Sequence, residues 1–110
     1  MAGRDEPLAQ LRRGVLELAI LALLRDEPLY GGAIIERLSE HEALGAGSGT
    51  VYPLLTRLRS SGLLVTRWEE SPLGPPRKYY ELTPAGRSQL AELTETWQGL
   101  VRELSSILEA

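Results

Sequence analysis

Apolar residues near the start of the chain recur with the period of an α-helix. Over residues 8–24 they follow one another at intervals of three and four, and a second apolar face runs beside the first. The two faces comprise Leu8, Leu11, Val15, Leu18 and Ala22, and Leu16, Ile20 and Leu23. A helix with two apolar faces packs against its own domain on one side and needs a further partner on the other. We therefore predict a first helix over 8–24, ended by Pro28.

A second, shorter helix is predicted over residues 30–42, with Ile34 and Leu38 on its inward face. Gly31 and Gly32 at its start each weaken helix propensity by about 1 kcal/mol. Glycine is used in such places when the backbone approaches another element closely. We expect a close approach to another helix at these two residues.

A third helix is predicted over residues 48–61, after a glycine-rich loop. Ser48 or Thr50 can cap its N-terminus, and Pro53 lies within or next to the first turn, where a missing N–H costs least. Gly62 suits the left-handed C-cap. The residues predicted to face the core are Val51, Leu55 and Leu58.

A β-hairpin follows this third helix. Residues 63–70 and 77–83 are rich in β-favouring side chains. Between them, residues 71–76 contain three prolines, which cannot donate to a ladder. We predict that residues 71–76 form a loop at the end of the hairpin.

The last helix is predicted to begin with Thr83 as N-cap and Pro84 at the first helical position, and to run to about Ile107. Its apolar residues keep a heptad spacing: Leu90, Leu93, Trp97, Leu100, Leu104 and Ile107. So long a seam has little in its own chain to cover it, which predicts a homodimer. The expected interface joins the first helix of one protomer to the last helix of its partner, through Leu11, Val15, Leu18, Leu93, Trp97, Leu100 and Leu104.

The order of elements is typical of a mainly α, α+β fold. It predicts a winged helix-turn-helix with a two-stranded wing and a long C-terminal dimerisation helix. We expect a DNA-binding unit over residues 1–83, which includes the first helix, and a dimerisation helix over residues 84–110.

Composition argues against an enzyme and against a membrane protein. The 110 residues include no cysteine and a single histidine, so thiol chemistry and multi-histidine metal sites are excluded. The segment GAGSG at 45–49 lacks the strand before it and the lysine after it that a phosphate loop requires. No apolar run is long enough to span a membrane, and the first ten residues do not resemble a secretory signal. We expect a cytoplasmic protein with no cofactor, no metal and no enzymatic activity.

The net charge of −3 conceals an uneven distribution. Residues 48–80 carry five basic and two acidic side chains, a net charge of +3, whereas the segments on either side carry −3 each. A localised basic region of this kind is typical of a surface that faces phosphates.

The basic region coincides with the third helix and the wing, which favours double-stranded DNA as the partner. The N-terminal part of the helix offers hydroxyl groups, and its later part offers arginines that reach phosphates or guanine edges. Hairpin cations are placed along the neighbouring backbone. The candidate DNA contacts are Ser48, Thr50, Tyr52, Thr56, Arg57, Arg59, Arg67, Arg77 and Lys78. The alternative is a winged-helix module that binds only proteins.

Three stretches resemble the signatures of PadR-like transcriptional regulators: LYGGAIIERL at 29–38, SGTVYPLLTRLRSSGLL at 48–64 and GPPRKYYELTPAGR at 74–87. The resemblance covers residues 11–104, and the single C-terminal helix is similar to the compact subfamily. It implies a homodimeric winged-helix repressor that binds an inverted-repeat operator and is relieved by small, often aromatic compounds. The resemblance implies DNA contacts for Tyr30, Thr50, Tyr52 and Lys78, and a structural role for Tyr80.

The two tryptophans carry separate expectations. Trp97 is either a core residue of the seam or, as in some PadR-like members, an aromatic platform that stacks planar ligands across the two-fold axis. Trp68, on the first wing strand, is expected to serve packing rather than readout.

Overall fold

The computed structural model describes residues 14–109. Its elements, in chain order, are α1 (Leu16–Leu23), β1 (Leu29–Tyr30), α2 (Gly31–Ser39), a 3-10 turn (Glu42–Leu44), α3 (Ser48–Ser60), β2 (Leu64–Ser71), β3 (Gly74–Leu82) and α4 (Pro84–Leu108). The predicted winged helix-turn-helix, an α+β fold with a long last helix, is confirmed.

The core lies between α1, α2, α3, the base of the sheet and the first turns of α4. It comprises Leu16, Ile20, Leu21, Leu24, Leu29, Ile34, Leu38, Val51, Leu55, Leu58, Leu64, Tyr80, Leu82 and Leu90. The predicted inward residues of α2 and α3 are all among them. In α1, Leu16 and Ile20 of the second predicted face are buried, whereas Leu23 of that face is only partly buried, like Leu18 and Ala22 of the first face.

The first helix is shorter than predicted at its N-terminal end. Gly14 and Val15 form a turn, and α1 begins at Leu16 with Val15 as its N-cap. Glycine is a poor helix former, which favours an interruption at this point. The part of the prediction that falls on residues 8–13, including Leu8 and Leu11, lies outside the described residues.

The sheet has three strands rather than the predicted two. Leu29 and Tyr30 form a short strand that pairs antiparallel with Tyr80 and Tyr79, so β3 lies between β1 and β2. Tyr30, predicted as the first residue of the second helix, is therefore the N-cap of α2 and adopts an extended conformation.

The wing, which we define as β2 and β3 (Leu64–Leu82), is more regular than predicted. The ladder continues to the pair Ser71 and Gly74, so the expected loop over 71–76 is a two-residue turn. Pro75 and Pro76 lie within β3 at a register irregularity between Glu69 and Ser71, where a missing N–H removes no regular ladder bond.

The ends of α3 match the prediction on one side only. Neither Ser48 nor Thr50 caps the helix; Gly47 is the N-cap, and Pro53 lies in the second turn. At the other end Gly62 has a φ of 79°, and the N–H groups of Gly62 and Leu63 donate to Arg59 and Leu58. This is the left-handed cap that glycine favours.

The start of α4 is fixed against the end of α3. The Thr83 hydroxyl accepts from the Gly86 N–H at 2.9 Å and donates to the Gly62 carbonyl at 2.7 Å. Pro84 follows as the first helical residue, as predicted. Beyond Leu93 the helix projects from the domain, and the radius of gyration of 15.7 Å exceeds the ~13 Å typical of a compact domain of 100 residues. Within residues 14–109 no helix is both long and apolar enough to cross a bilayer.

Candidate DNA-binding face

Helix α3 presents two different polar sides to solvent. Tyr52, Thr56 and Arg59 are spaced by four and three residues and share the side that faces α2 and the wing. Thr50 and Arg57, seven residues apart, share the side that faces α1. Ser48 is exposed at the N-terminus of the helix, where backbone N–H groups favour anions.

The wing also has two faces, because side chains alternate along a strand. One face carries three cross-strand pairs: Leu64 with Leu82, Thr66 with Tyr80, and Trp68 with Lys78. This face is buried at the base of the wing and exposed at Trp68. The opposite face carries Arg67 beside Tyr79 and Arg77 beside Glu69.

A groove of about 260 Å³ separates α2, α3 and the wing. Its walls are aromatic and basic: Tyr30, Gly31, Gly32, Tyr52, Trp68, Arg77, Lys78 and Tyr80. A Cβ atom at Gly31 would lie only 2.5 Å from the ring and hydroxyl of Tyr52. The predicted close approach at this glycine is confirmed, and the neighbouring group is the Tyr52 side chain of α3.

Cations lie over two of the aromatic rings of this groove. The Arg77 guanidinium lies 4.3 Å from the centre of the Tyr30 ring, which itself packs edge-on against Tyr79. The Lys78 Nζ lies 5.8 Å from the centre of the Tyr80 ring.

Tyr80 is buried and holds the two sides of the groove together. Burial raises the pKa of its hydroxyl, the neighbouring Tyr52 adds to this, and the positive charge of Arg59 opposes it. The hydroxyl therefore stays neutral at physiological pH. Its burial agrees with the structural role that the family resemblance implies.

The five predicted cations fall into two groups. Arg57 donates to Glu17 of α1, and Arg67 donates to Glu81 at 2.9 Å and lies 3.3 Å from Glu69. Among residues 14–109, the other three form no ion pair: Arg59, Arg77 and Lys78. Arg77 and Lys78 line the groove between α3 and the wing, and Arg59 is close enough to Tyr80 to affect its pKa.

Comparison with protein families identifies this arrangement. The family model described as "Transcriptional regulator PadR-like family" matches residues 20–92, which include α2, α3 and the wing. The chain belongs to the PadR-like family. The resemblance stated from its three sequence stretches is thereby confirmed.

Relatives agree with this assignment over nearly the whole chain. The chain is 34% identical to the "Transcriptional regulator Rv3488" of Mycobacterium tuberculosis, over 88% of this chain and 89% of the relative. It is 47% identical to a solved PadR-like transcription factor from Bacteroides fragilis, with a TM-score of 0.76 over 94% and 99% of the two chains. A PadR family transcriptional regulator from Eggerthella lenta is 36% identical, with a TM-score of 0.87 over 96% and 92%.

Membership in the PadR-like family establishes the coarse function. This chain is a DNA-binding transcriptional regulator and not an enzyme, because its relatives are transcriptional regulators. The alternative of a winged-helix module that binds only proteins is not favoured.

The second exposed feature of this PadR-like regulator is an apolar surface on α4. We define the α4 stripe as its large exposed apolar side chains: Trp97, Leu100, Val101, Leu104, Ile107 and Leu108. Four of the six were predicted as seam residues. Val101 and Leu108 were missed, because each lies one residue after a seam position and broadens the stripe outside the strict heptad. Leu93 instead packs against the core of its own chain, and Leu18 of α1 lies beside it.

The structure contradicts the prediction about Trp68, and the choice between seam residue and ligand platform for Trp97 stays a prediction. Trp97 is 43% exposed and lines a groove of about 180 Å³ between α1 and α4, so it is not part of the core of its own protomer. Trp68 is 67% exposed, so the expectation that it serves packing is wrong for the single chain. Alternation along β2 identifies which face it lies on, but only the tertiary structure shows that nothing among the described residues covers it.

Proposed function

We propose that this PadR-like regulator is a homodimeric repressor that binds an inverted-repeat operator and is relieved by a small effector such as an aromatic compound. The observation that carries the proposal is the groove between α3 and the wing, lined by Arg77 and Lys78 with Arg59 nearby, three cations that form no ion pair within residues 14–109. A cation without an acidic partner is available to neutralise a phosphate and release its counterion. The operator-bound protein would work in the cytoplasm.

In this proposal α3 enters the major groove and the wing follows the adjacent backbone. Ser48 and Thr50 lie at the helix N-terminus and would meet phosphate, while Tyr52 and Thr56 would face base edges. Tyr30, with Arg77 stacked on it, would contact the backbone beside the wing.

The first test is the selection of binding sites from random duplexes. We expect a two-fold site with half-site centres about 34–36 Å apart, the separation of successive major grooves. A selected site without two-fold symmetry would contradict the dimeric arrangement, and no enrichment at all would contradict sequence readout.

The second test compares the two groups of cations. Arg59→Ala, Arg77→Ala and Lys78→Ala should weaken binding to operator and random duplex alike, and each should lower the salt slope by roughly one unit. Arg57→Ala and Arg67→Ala are matched controls, because these side chains must first leave Glu17 and Glu81. We expect smaller losses for the controls in titrations at several salt concentrations. Equal losses in both groups would mean that ion pairing within the chain does not decide which cations bind DNA.

The homodimer rests on the α4 stripe. In this proposal, residues 84–110 form the dimer interface and residues 1–83 bind DNA. The partner would cover the stripe with Leu18 of its α1 and with Val15 just before it, and these would meet Leu93, Trp97, Leu100 and Leu104. Leu11, predicted for the same interface, lies outside the described residues. Leu18 and Leu93 also contact their own core, so they would lie at the edge of the interface.

The effector would bind at Trp97. Two copies of this ring near the dimer axis would offer an apolar slot, and stacking would stabilise a planar ligand by about 0.5–1.5 kcal/mol beyond burial. In a Trp68→Phe variant, planar aromatic compounds should quench Trp97 and release operator over the same concentration range. Operator release without quenching would place the effector elsewhere, and quenching without release would leave Trp97 with no part in regulation.

A further inference from the structure

Trp68 is the most exposed aromatic side chain of the wing. It is 67% exposed in the middle of β2, directly opposite Lys78 in the ladder. Exposure of a large apolar ring to water is unfavourable, so contact with a partner that covers the ring would be stabilising. The wing itself offers no cover, because Tyr80, the next side chain along the same face, is packed down into the core.

The surroundings of Trp68 indicate the chemistry of that partner. Trp68 lines the groove with Tyr52 of α3 and with the cations Lys78 and Arg77. Glu69 and Arg77 pair across the ladder on the opposite face of the hairpin, and the exposed Glu70 lies two positions along β2, at the register irregularity. On its own face the ring lies directly beside the cation Lys78, which favours an anionic partner such as a phosphate backbone.

An indole group suits one part of such a polyanion. Its flat ring packs on the apolar face of a deoxyribose, and its Nε1–H is a donor without acceptor capacity, which matches a phosphate oxygen. Base edges in the major groove are within reach of α3 rather than of the wing.

We propose that Trp68 is a DNA-backbone contact of the wing, with its ring on a deoxyribose and its Nε1–H donating to a phosphate next to the one that Lys78 neutralises. The inference rests on the proposed DNA-binding face and adds a contact that the charged residues do not provide. It predicts a sequence-independent contribution, because sugar and phosphate are the same at every base pair.

The first experiment observes Trp68 directly. The chain has two tryptophans, so Trp68 is the only reporter in a Trp97→Phe variant whose duplex affinity is measured beforehand. Saturation with a duplex should reduce quenching by acrylamide, a neutral quencher, at least threefold, for operator and for random sequence. Unchanged quenching in a duplex-saturated sample would overturn the proposal.

The second experiment separates the ring from its N–H. Trp68→Ala should weaken duplex binding about tenfold on operator and on random DNA, and Trp68→Phe, which keeps a ring, should fall between. Val65→Ala is the matched control, because Val65 is half exposed on the opposite face of the same strand. The control should bind as wild type does, and circular dichroism should show all three variants folded.

The outcomes distinguish this inference from the proposed function. If wild type binds no duplex, the proposed function fails. If wild type binds and Trp68→Ala binds equally well, only the Trp68 contact fails. A loss confined to operator would show base readout by Trp68 and would also contradict a backbone contact.

Discussion

At the scale of single residues, the absence of a side chain at Gly31 is what positions Tyr52. The Tyr52 ring and hydroxyl lie against the Gly31 backbone, in space that a Cβ would fill. Tyr52 is partly exposed, so its side chain rather than the backbone would move if that space were filled. Gly31 therefore acts on the DNA-binding face through Tyr52.

We expect Gly31→Ala to reduce operator affinity without reducing stability. Alanine favours the first turn of α2 by up to about 1 kcal/mol, while displacement of Tyr52 should cost about tenfold in operator binding, roughly 1.4 kcal/mol. Titration with operator and thermal unfolding measure the two effects separately. Gly14→Ala, with no atom within 4 Å of the added carbon, is the control. A Gly31→Ala protein with wild-type affinity would show that Tyr52 can bind operator from another rotamer.

The close approach at the glycines of α2 was predictable from the sequence, because two poor helix formers at the start of a helix indicate that a side chain there would be unfavourable. The partner of Gly31 was not, since Tyr52 lies some twenty residues further along the chain, and the side chain beside Gly32 is that of Tyr30 rather than of another helix. The sequence also offered no reason to distinguish among the five cations of the basic region as DNA contacts. Only the fold pairs Arg57 with Glu17 and Arg67 with Glu81, across 40 and 14 residues of sequence.

At the scale of elements, the junction between α3 and α4 holds the wing in place. Gly86 in the first turn of α4 packs against the Leu63 carbonyl, which also accepts from the Thr83 N–H. A side chain at Gly86 would therefore meet the backbone carbonyl of Leu63, which cannot move aside as a flexible side chain can.

Gly86→Ala should destabilise the protein by about 1–3 kcal/mol, the usual cost of overpacking a well-packed site. Urea unfolding should show a lower midpoint with an unchanged slope. Gly49→Ala is the control, because it lies in the first turn of α3 and the added carbon meets nothing within 4 Å. A Gly86→Ala midpoint at or above that of the control would mean that α4 shifts at little cost.

The elements themselves were predictable to different degrees. Helix α4 and its Thr83 cap follow from local sequence, and so does the Gly62 cap of α3. Strand β1 does not, because two residues form a strand only when a remote partner, here Tyr79 and Tyr80, satisfies their backbone groups. The prolines of the wing led to the wrong prediction of a loop over 71–76. The irregular register between Glu69 and Ser71 accommodates two of them within β3.

At the scale of the whole molecule, the proposed dimer would link DNA binding to α4, because a two-fold site needs two protomers. Leu100 is 62% exposed in the single chain, so a charge there is hydrated in the monomer and buried only in the proposed dimer.

Leu100→Asp should yield a folded monomer, because an unpaired charge at the interface costs several kcal/mol. Sedimentation should show the monomer at micromolar concentration, with a helical circular dichroism spectrum and weak binding to a single half-site. Ser88→Asp, an exposed position of α4 away from the stripe, should remain dimeric. A stable Leu100→Asp dimer would mean that the α4 stripe is not the interface.

The sequence alone determined the presence of the four helices, the hairpin and the basic region of this protein, because periodicity, turn residues and charge are local properties of the chain. The family was recognised from the resemblance of three sequence stretches. The tertiary structure decided which cations lack an acidic partner, which tryptophans are exposed, and that a third strand completes the sheet. Those features depend on contacts between residues far apart in sequence. Pairing and burial are settled only when the chain brings such residues together.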